Sequence, residues 1–386
     1  MQTAFPCHLK NFILKSSIYA VAFTAMNFIK RLFGREKEVT DAASFWKWFQ
    51  QHEKTFHIAL SKEQRINEDF LDLLMSRLKN LNSWFACSAG MFDATTAELI
   101  ITAQGDVKTF VFAEELIAAA PSLPGWRFTA LKPPTGLDIT IEMDGFKFND
   151  KEMSFFSRDN SDYPDEIEIT LVHTHFSEAN KEIITNGAFI FLDNALGELN
   201  TATLLDNVQI DAADADNGEL IPLEKLNDFL VWKEKEFVEK YNGTRHNTES
   251  DSYSILEGKD EKGLPSIALV NQELLGWDAK ASHPWMMVIE LKFTSITNGM
   301  PDKEIAAGLN RFEEDLVLRL PDSDGYLNLG RDTYNSKRTI YFACKEFRHA
   351  SRTVQQMVSG FRGKITITYD IYKDKYWRTM NRYRAS

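Results

Sequence analysis

Apolar positions in the last third of the chain switch repeatedly between strand-like and helix-like spacing. The order is strand, helix, strand, strand, helix, strand. In sequence, the segments are 285–294, 302–320, 325–331, 338–345, 348–361 and 364–371. This order is that of two split βαβ units, so it predicts a ferredoxin-like (βαββαβ) domain: an antiparallel sheet with helices on one face.

A similar pattern occurs twice between residues 41 and 241, and it predicts two units of the ββαβ type, 41–134 and 135–241. Helical spacing of aromatic residues predicts a first helix over 42–58. A second helix is expected to start at Ser61, with Gln64 completing a capping box. Asp144-Gly145 between two apolar runs predicts a two-residue hairpin turn. Pro222 is expected in the first turn of a long helix. The fold class predicted for the whole chain is α+β.

The segment 242–252 contains no aliphatic residue and no Phe, Tyr or Trp. It therefore predicts an exposed linker between the N-terminal region, 41–241, and a C-terminal domain, 253–386, that folds alone.

Residues 1–40 are expected to be an N-terminal extension that is disordered or that results from a start assigned too early. Met26 is the candidate for the true start, because the sequence that follows it is typical of an N-terminus. The apolar run within 1–25 is too short for a spanning helix. A signal peptide remains the alternative for it.

The net charge of −12 argues against a protein that coats nucleic acid or an anionic membrane with its whole surface. The charge is unevenly placed: Arg331 to Ser386 carries +9, and the rest of the chain carries −21. Two alternatives follow. Either the basic end packs against the acidic body, or it offers a basic face to RNA or to an acidic partner.

The three cysteines are far apart in the sequence and odd in number, so they form no disulfide framework. A reducing compartment fits best, and we expect a cytoplasmic protein. Cys87 and Cys344 lie in apolar strand-like runs and are expected to be packing residues. No spacing to a histidine suggests a catalytic thiol.

Several short motifs near the C-terminus carry a family resemblance. They are Gly299-Met300-Pro301, the stretch GYLNLGRDT from Gly325 to Thr333, Tyr341-Phe342, and Asp374 with Trp377. With these, residues 253–386 resemble the bacterial family known as domain of unknown function 695. The stretches FWKWFQQHE (45–53), GMFD (90–93) and LDNALGEL (192–199) extend the resemblance to a longer form over 26–386. In some members of that family the domain is fused to a second domain that resembles the protein inhibitor of ribonuclease E, so the resemblance implies at most a weak link to RNA.

His173 and His175 are the candidate metal ligands. Two residues apart on a strand, they would share one face, and Asp193 and Glu198 on the following helix could add oxygen ligands. The alternative is a pair of surface or edge-strand histidines, since no third ligand has a diagnostic spacing.

The candidate binding residues are Trp377, Arg378, Arg382 and Tyr383, in a tail rich in aromatic and basic side chains. If exposed, they combine stacking planes with positive charge, as proteins that bind single-stranded RNA do. The alternative is a tail that folds back and covers the sheet.

No phosphate-binding glycine loop and no GxSxG motif occurs in the sequence. The leading hypothesis is therefore a cytoplasmic, non-enzymatic binding or regulatory protein with no cofactor, no membrane span and a protein partner. One alternative is an RNA-linked regulator that uses the basic C-terminal segment. The other is a metal-dependent hydrolase centred on His173 and His175.

Overall fold

A computed structural model describes residues 39–62, 66–212, 219–295, 298–361 and 363–384. Two compact units are distinguished. Of the described residues, the first comprises those between 39 and 83 together with 89–98 and 119–127, and the second comprises 84–88, 99–118 and those between 128 and 384. The expectation for residues 1–40 concerns a segment that lies, except for its last two residues, outside the described part.

The first unit is built around aromatic side chains on two helices, α1 (Ala42–Lys62) and α2 (Asp72–Leu81), with a π-helical turn before α2 (Asn67–Leu71). Phe49 packs edge-on against Trp126, with ring centroids 4.9 Å apart, and Phe56 packs in the same way against Phe70. The predicted helix start at Ser61 is wrong, because Ser61 lies in the last turn of α1. Gln64 lies outside the described residues.

A three-stranded sheet follows in the order β1-β2-β3, with β1 (Ala86–Met91), β2 (Ala97–Thr102) and β3 (Trp126–Ala130). Helix α3 (Val107–Ala118) lies between β2 and β3 in the sequence.

The second unit continues with the hairpin of β4 (Ile141–Met143) and β5 (Phe146–Phe148). Asp144 and Gly145 both have positive φ, as the predicted two-residue turn requires. A four-stranded sheet in the order β8-β7-β6-β9 comes next. The strands of this sheet and the helices between and after them are, in sequence, β6 (Met153–Ser157), β7 (Glu168–His173), α4 (Lys181–Leu196), α5 (Glu198–Leu204), β8 (Asn207–Asp211), β9 (Ile221–Pro222) and α6 (Leu226–Lys240).

Two details of this sheet differ from the predictions. Strands β7 and β8 pair in parallel, because helices α4 and α5 carry the chain back to the end of the sheet at which β7 starts. Pro222 lies in the short strand β9, and a 3-10 turn, Leu223–Lys225, separates it from α6. The apolar faces of α4 and of β6 and β7 form the core of this region.

A six-stranded antiparallel sheet in the order β10-β11-β13-β14-β12-β15 dominates the C-terminal part. The elements in sequence are β10 (Tyr253–Lys259), β11 (Pro265–Asn271), α7 (Gln272–Gly276), β12 (Trp285–Lys292), α8 (Lys303–Arg319), β13 (Tyr326–Tyr334), β14 (Lys337–Cys344), α9 (Arg348–Gly360) and β15 (Thr366–Lys373). A 3-10 helix, Arg378–Tyr383, ends the described chain. The six predicted C-terminal elements are all present, and β10 and β11 were not predicted.

Each face of this sheet has its own cover. Arg331 and Arg338 point to one face, where they contact Glu313 and Asn310 of α8, and Tyr369 contacts α9 on the same side. On the other face, α7 and the terminal 3-10 helix pack over Tyr341 with Trp377 and Met380. The two long helices therefore lie on one face as predicted, but the opposite face is covered as well.

The α+β class is confirmed, and the six-stranded sheet is antiparallel throughout. Besides β7 and β8, strands β2 and β3 pair in parallel, since Ala97 N–H donates to the Gly125 carbonyl and Leu131 N–H to the Ile101 carbonyl. The linker 242–252 forms no helix or strand, and side chains on it, such as Thr248, contact Asp322 of the C-terminal part. Independent folding of 253–386 remains a prediction. None of the helices in the described ranges has the length and apolar content that spanning a bilayer requires.

Candidate functional site

The two histidines of the predicted metal site make separate contacts. Strand β7 ends at His173, so His175 lies in the turn beyond it. The buried His173 accepts a hydrogen bond at Nδ1 from the His175 backbone N–H (3.1 Å), and its Nε2–H donates to the Lys147 carbonyl (3.0 Å). Burial lowers the pKa of His173, in keeping with a neutral ring. Both ring nitrogens are occupied, so His173 has no lone pair to offer a metal.

The predicted oxygen ligands are also engaged. Glu198 is buried and accepts hydrogen bonds from three backbone N–H groups, those of Ala103 (3.0 Å), Gly105 (2.9 Å) and Lys132 (3.1 Å). Asp193 pairs with the Lys132 ammonium at 2.5 Å. No group of three or more His, Cys, Asp or Glu side chains in the described ranges is arranged to hold a metal ion. The geometry does not support the metal-site prediction.

Trp377 is fully buried, which removes it from the predicted RNA-binding surface. Its indole N–H donates to the His283 carbonyl (3.0 Å), and its ring packs at 6.0 Å from that of Trp277. The expectation of an exposed stacking platform at Trp377 is therefore wrong. The tail folds back over the sheet because a large aromatic side chain gains more from burial there than from contact with water.

The other three predicted binding residues have internal partners. Arg378 binds Glu166 (2.7 Å), and Arg382 binds Asp332 (2.9 Å). The Tyr383 hydroxyl donates to the same Asp332 carboxylate. The side chains of Arg378 and Arg382 are 47% and 61% exposed, but their carboxylate partners are mostly buried, so these contacts are only partly screened by water. These carboxylates already neutralise the positive charges that the phosphates of an RNA backbone would have to contact.

The same holds for most of the basic C-terminal segment. Nine of its basic side chains form ion pairs: Arg331, Lys337, Arg338, Arg348, Arg352, Lys373, Lys375, Arg378 and Arg382. Of the two alternatives for the uneven charge, the structure agrees with the packing of the basic end against acidic groups.

Two of the buried ion pairs meet at one carboxylate and form a cluster, which we call the Asp206 cluster: Asp206, Lys373 and Lys375. The Lys373 and Lys375 ammonium groups lie 2.9 and 2.7 Å from the two carboxylate oxygens, and the Ile167 N–H donates to one of them (2.7 Å). Burial alone would raise the pKa of Asp206, but the two lysines outweigh it and leave the pKa below its ordinary value. The cluster joins β15 and the tail to the segment between α5 and β8.

The two described cysteines are packing residues. Cys344 is fully buried in β14, and Cys87 is partly buried in β1. Burial raises the pKa of the Cys87 thiol to about 12, and it raises that of Cys344 as well. Thiols of this kind remain protonated at neutral pH and are poor nucleophiles.

The edge strand β10 is the feature that the sequence reasoning missed. It is the terminal strand of the six-stranded sheet, and almost every side chain along it is exposed. Ile255 is 67% exposed, Tyr253 44% and Leu256 38%, and the neighbouring Ile267 on β11 is 42% exposed. The signal in the sequence was an apolar alternation on both sides of the Asp260–Gly263 turn.

The backbone of β10 presents a row of unpaired hydrogen-bonding groups. Asp260 N–H donates to Leu264 O and Gln272 N–H to Ser252 O, which shows that even-numbered residues pair with β11. Because paired and unpaired positions alternate in an antiparallel ladder, the N–H and C=O groups of the odd-numbered residues point away from the sheet. They belong to Tyr253, Ile255, Glu257 and Lys259, and they have no partner in a described strand.

The motif residues of the C-terminal region have structural roles. Gly330 has φ +130° at a bulge in β13, and a Cβ there would lie 2.2 Å from the Leu269 carbonyl. Asp332 accepts from Tyr341 as well as Tyr383, and Asp374 accepts from the N–H groups of residues 378 and 379 at the start of the terminal 3-10 helix. These residues shape and cover the sheet, and none of them points to a reaction.

Comparison with curated proteins and with solved structures gave no significant match. A family model does match residues 256–383, about a third of the chain, and its description is Family of unknown function (DUF695). The match covers β11 to β15 and the terminal 3-10 helix entirely, and it begins within β10. The C-terminal region of this chain, residues 256–383, thus carries the DUF695 family domain, as its motifs predicted.

Proposed function

We propose that this protein is a non-enzymatic binding protein that takes up an extended segment of a protein along the free edge of β10. The observation that carries the proposal is the exposure of this strand on both faces, with apolar side chains at Tyr253, Ile255 and Leu256. Strand addition of this kind draws affinity from backbone hydrogen bonds and specificity from alternate side chains.

The edge lacks most of the features that protect other proteins from unwanted pairing. Natural edge strands are blunted by charges, prolines, bulges or covering loops. In β10, the charged residues Glu257 and Lys259 are confined to the end near the turn, and the strand contains no proline and no bulge. The first four residues of β10 therefore form an open apolar edge.

The sheet behind the edge supports the proposal. It is covered on both faces, by α8 and α9 on one side and by Trp377 and its neighbours on the other. A strand that adds to β10 thus docks onto a rigid element, and little conformational entropy is lost on the side of the receptor.

The proposal includes a ferredoxin-like arrangement for the C-terminal domain. Its support is the order β13-β14-β12-β15, in which α8 and α9 are the connections between strands separated by one neighbour. Strands β10 and β11 extend that sheet on the β13 side. We also propose that the protein is cytoplasmic. The support for this location is that Cys344 is a buried free thiol, as is common in proteins of a reducing compartment.

Peptide display tests the proposal. Random peptides selected on immobilised protein are expected to be extended, with apolar residues at alternate positions. The Glu257→Pro variant should bind them about fivefold more weakly, because proline removes one outward N–H and a backbone hydrogen bond contributes about 1 kcal/mol. Since that N–H points away from β11, the variant keeps its pairing within the sheet.

Leu318→Lys is the matched control, since Leu318 on α8 is 79% exposed and lies on no strand. It should leave peptide affinity unchanged. If no peptide is enriched, or if the selected peptides bind Glu257→Pro as tightly as the unmodified chain, the proposed function is wrong.

A further inference from the structure

We infer that one occupant of the β10 edge is a second copy of this chain, so that two β10 strands pair antiparallel about a two-fold axis at Leu256. The inference rests on the proposed function in using the same edge, and it adds the identity of the partner. It stands on the exposure of β10, its outward backbone groups and the complementarity of its sequence with itself.

Backbone hydrogen bonding selects the register. With the axis at Leu256, residue 253 lies opposite residue 259 of the other copy, and residue 255 lies opposite residue 257. Every outward N–H and C=O of the four odd-numbered residues then finds a partner, because facing odd-numbered residues exchange both of their bonds. An axis at Ile255 would bring residue 259 opposite Asp251, whose N–H already donates to the Thr248 carbonyl.

The side chains fit the same register. Leu256 faces its own copy on one side of the sheet. On the other side, Ile255 lies against the aliphatic part of Glu257, and the Tyr253 ring lies opposite the Lys259 ammonium, a favourable pairing of a cation with an aromatic ring. No charged residue lies directly opposite a like charge, which would be destabilising.

The contact involves one strand of seven residues on each side. It therefore belongs to the class of small interfaces below about 1,200 Å², which are weak and reversible. Association through a two-fold axis closes with two copies, so the expected species is a dimer and not a filament.

Sedimentation equilibrium of the full chain over a concentration series up to the high micromolar range tests this. We expect a reversible monomer–dimer equilibrium. Leu256→Lys brings two like charges directly opposite each other and should raise the dimer dissociation constant about tenfold or more. Ile255→Lys places the new ammonium opposite Glu257 and should keep the dimer, although it also replaces an exposed apolar residue. Thermal unfolding of each variant checks that it is folded.

Cysteine cross-linking tests the register. In a Cys7→Ser background, Leu256→Cys places the two Cα atoms about 4.5 Å apart, within disulfide range. Ile255→Cys places its two copies on a diagonal about 7–8 Å apart, beyond that range. Mild oxidation should therefore link Leu256→Cys into a covalent dimer much faster than Ile255→Cys. Of the other two native cysteines, Cys344 is fully buried, and Cys87 is partly buried in β1 with a thiol pKa raised by burial, so both form thiolates poorly.

A chain that remains monomeric at every concentration overturns the inference, and so does a dimer that Leu256→Lys leaves intact. Equal linkage of the two cysteine variants overturns the register and the inference with it. None of these outcomes affects peptide selection on the monomer, so failure of the dimer and failure of the proposed function can be told apart.

Discussion

Replacing Trp377 with alanine is expected to lower the free energy of unfolding by about 3–5 kcal/mol, the usual cost of removing a large buried aromatic side chain. Trp377 is fully buried between the sheet and Trp277, and its indole N–H donates to the His283 carbonyl. The substitution leaves a cavity and an unpaired carbonyl. Urea denaturation followed by far-UV circular dichroism measures the effect.

Trp232→Ala is the matched control, because Trp232 on α6 is half exposed. It should change stability by less than about 0.5 kcal/mol. Equal effects of the two substitutions would show that Trp377 does not hold the tail on the sheet, and the possibility of an exposed stacking residue there would return.

Replacing Asp206 with asparagine is expected to cost about 3–5 kcal/mol at neutral pH, the range found when one partner of a buried ion pair is removed. Asparagine has nearly the same shape as aspartate but carries no charge. Two buried ammonium groups, those of Lys373 and Lys375, would then face each other without a carboxylate between them. The same denaturation experiment measures the loss.

The pH dependence gives a second measure of the Asp206 cluster. The pKa of Asp206 lies below its ordinary value of 3.8 in the folded chain. Its contribution to stability is therefore complete above the unfolded pKa and is lost as the pH falls through the folded pKa. Between neutral pH and acid, Asp206→Asn should lose less stability than the unmodified chain.

Asp370→Asn is the control for this prediction. Asp370 is half exposed and pairs with Lys108 at 3.4 Å, so its removal should cost less than about 1 kcal/mol. If Asp206→Asn is as mild as Asp370→Asn and shows the same pH dependence as the unmodified chain, the lysines are not held by this carboxylate.

The sequence predicted most elements of the C-terminal domain because their apolar periods are long and unbroken. Helices α8 and α9 and strands β12 to β15 lie within a few residues of the expected segments. The start of the second helix was misplaced because Ser61 resembles a cap, whereas α1 continues through it. Local capping signals decide a boundary only where packing does not extend the helix.

Strand β10 escaped prediction because it buries almost no side chain. Period-2 alternation identifies a strand when one face is buried, and in β10 both faces are exposed. Its partner β11 fits the period-2 pattern better, because Ala268 and Val270 are buried on one face. However, β11 follows a polar turn that resembles a loop. An exposed edge strand is therefore the element that a search for buried faces misses.

The candidate site residues illustrate a different limit. Composition showed a basic tail and an acidic body, but only tertiary structure shows which carboxylate meets which cation. Glu198 was considered as a metal ligand, and the structure places its carboxylate on three backbone N–H groups. The partners of Glu198 lie between 66 and 95 residues away in the sequence, beyond the reach of any local pattern.

Amide hydrogen exchange along β10 tests the central claim most directly. In the dilute free protein, the amides of Tyr253, Ile255, Glu257 and Lys259 should exchange rapidly, and those of residues 254, 256 and 258 should be protected by β11. On saturation with a selected peptide, the four outward amides should become protected, and the alternation should disappear. If the outward amides continue to exchange rapidly when the peptide is bound, no strand has been added to β10, and the account is contradicted.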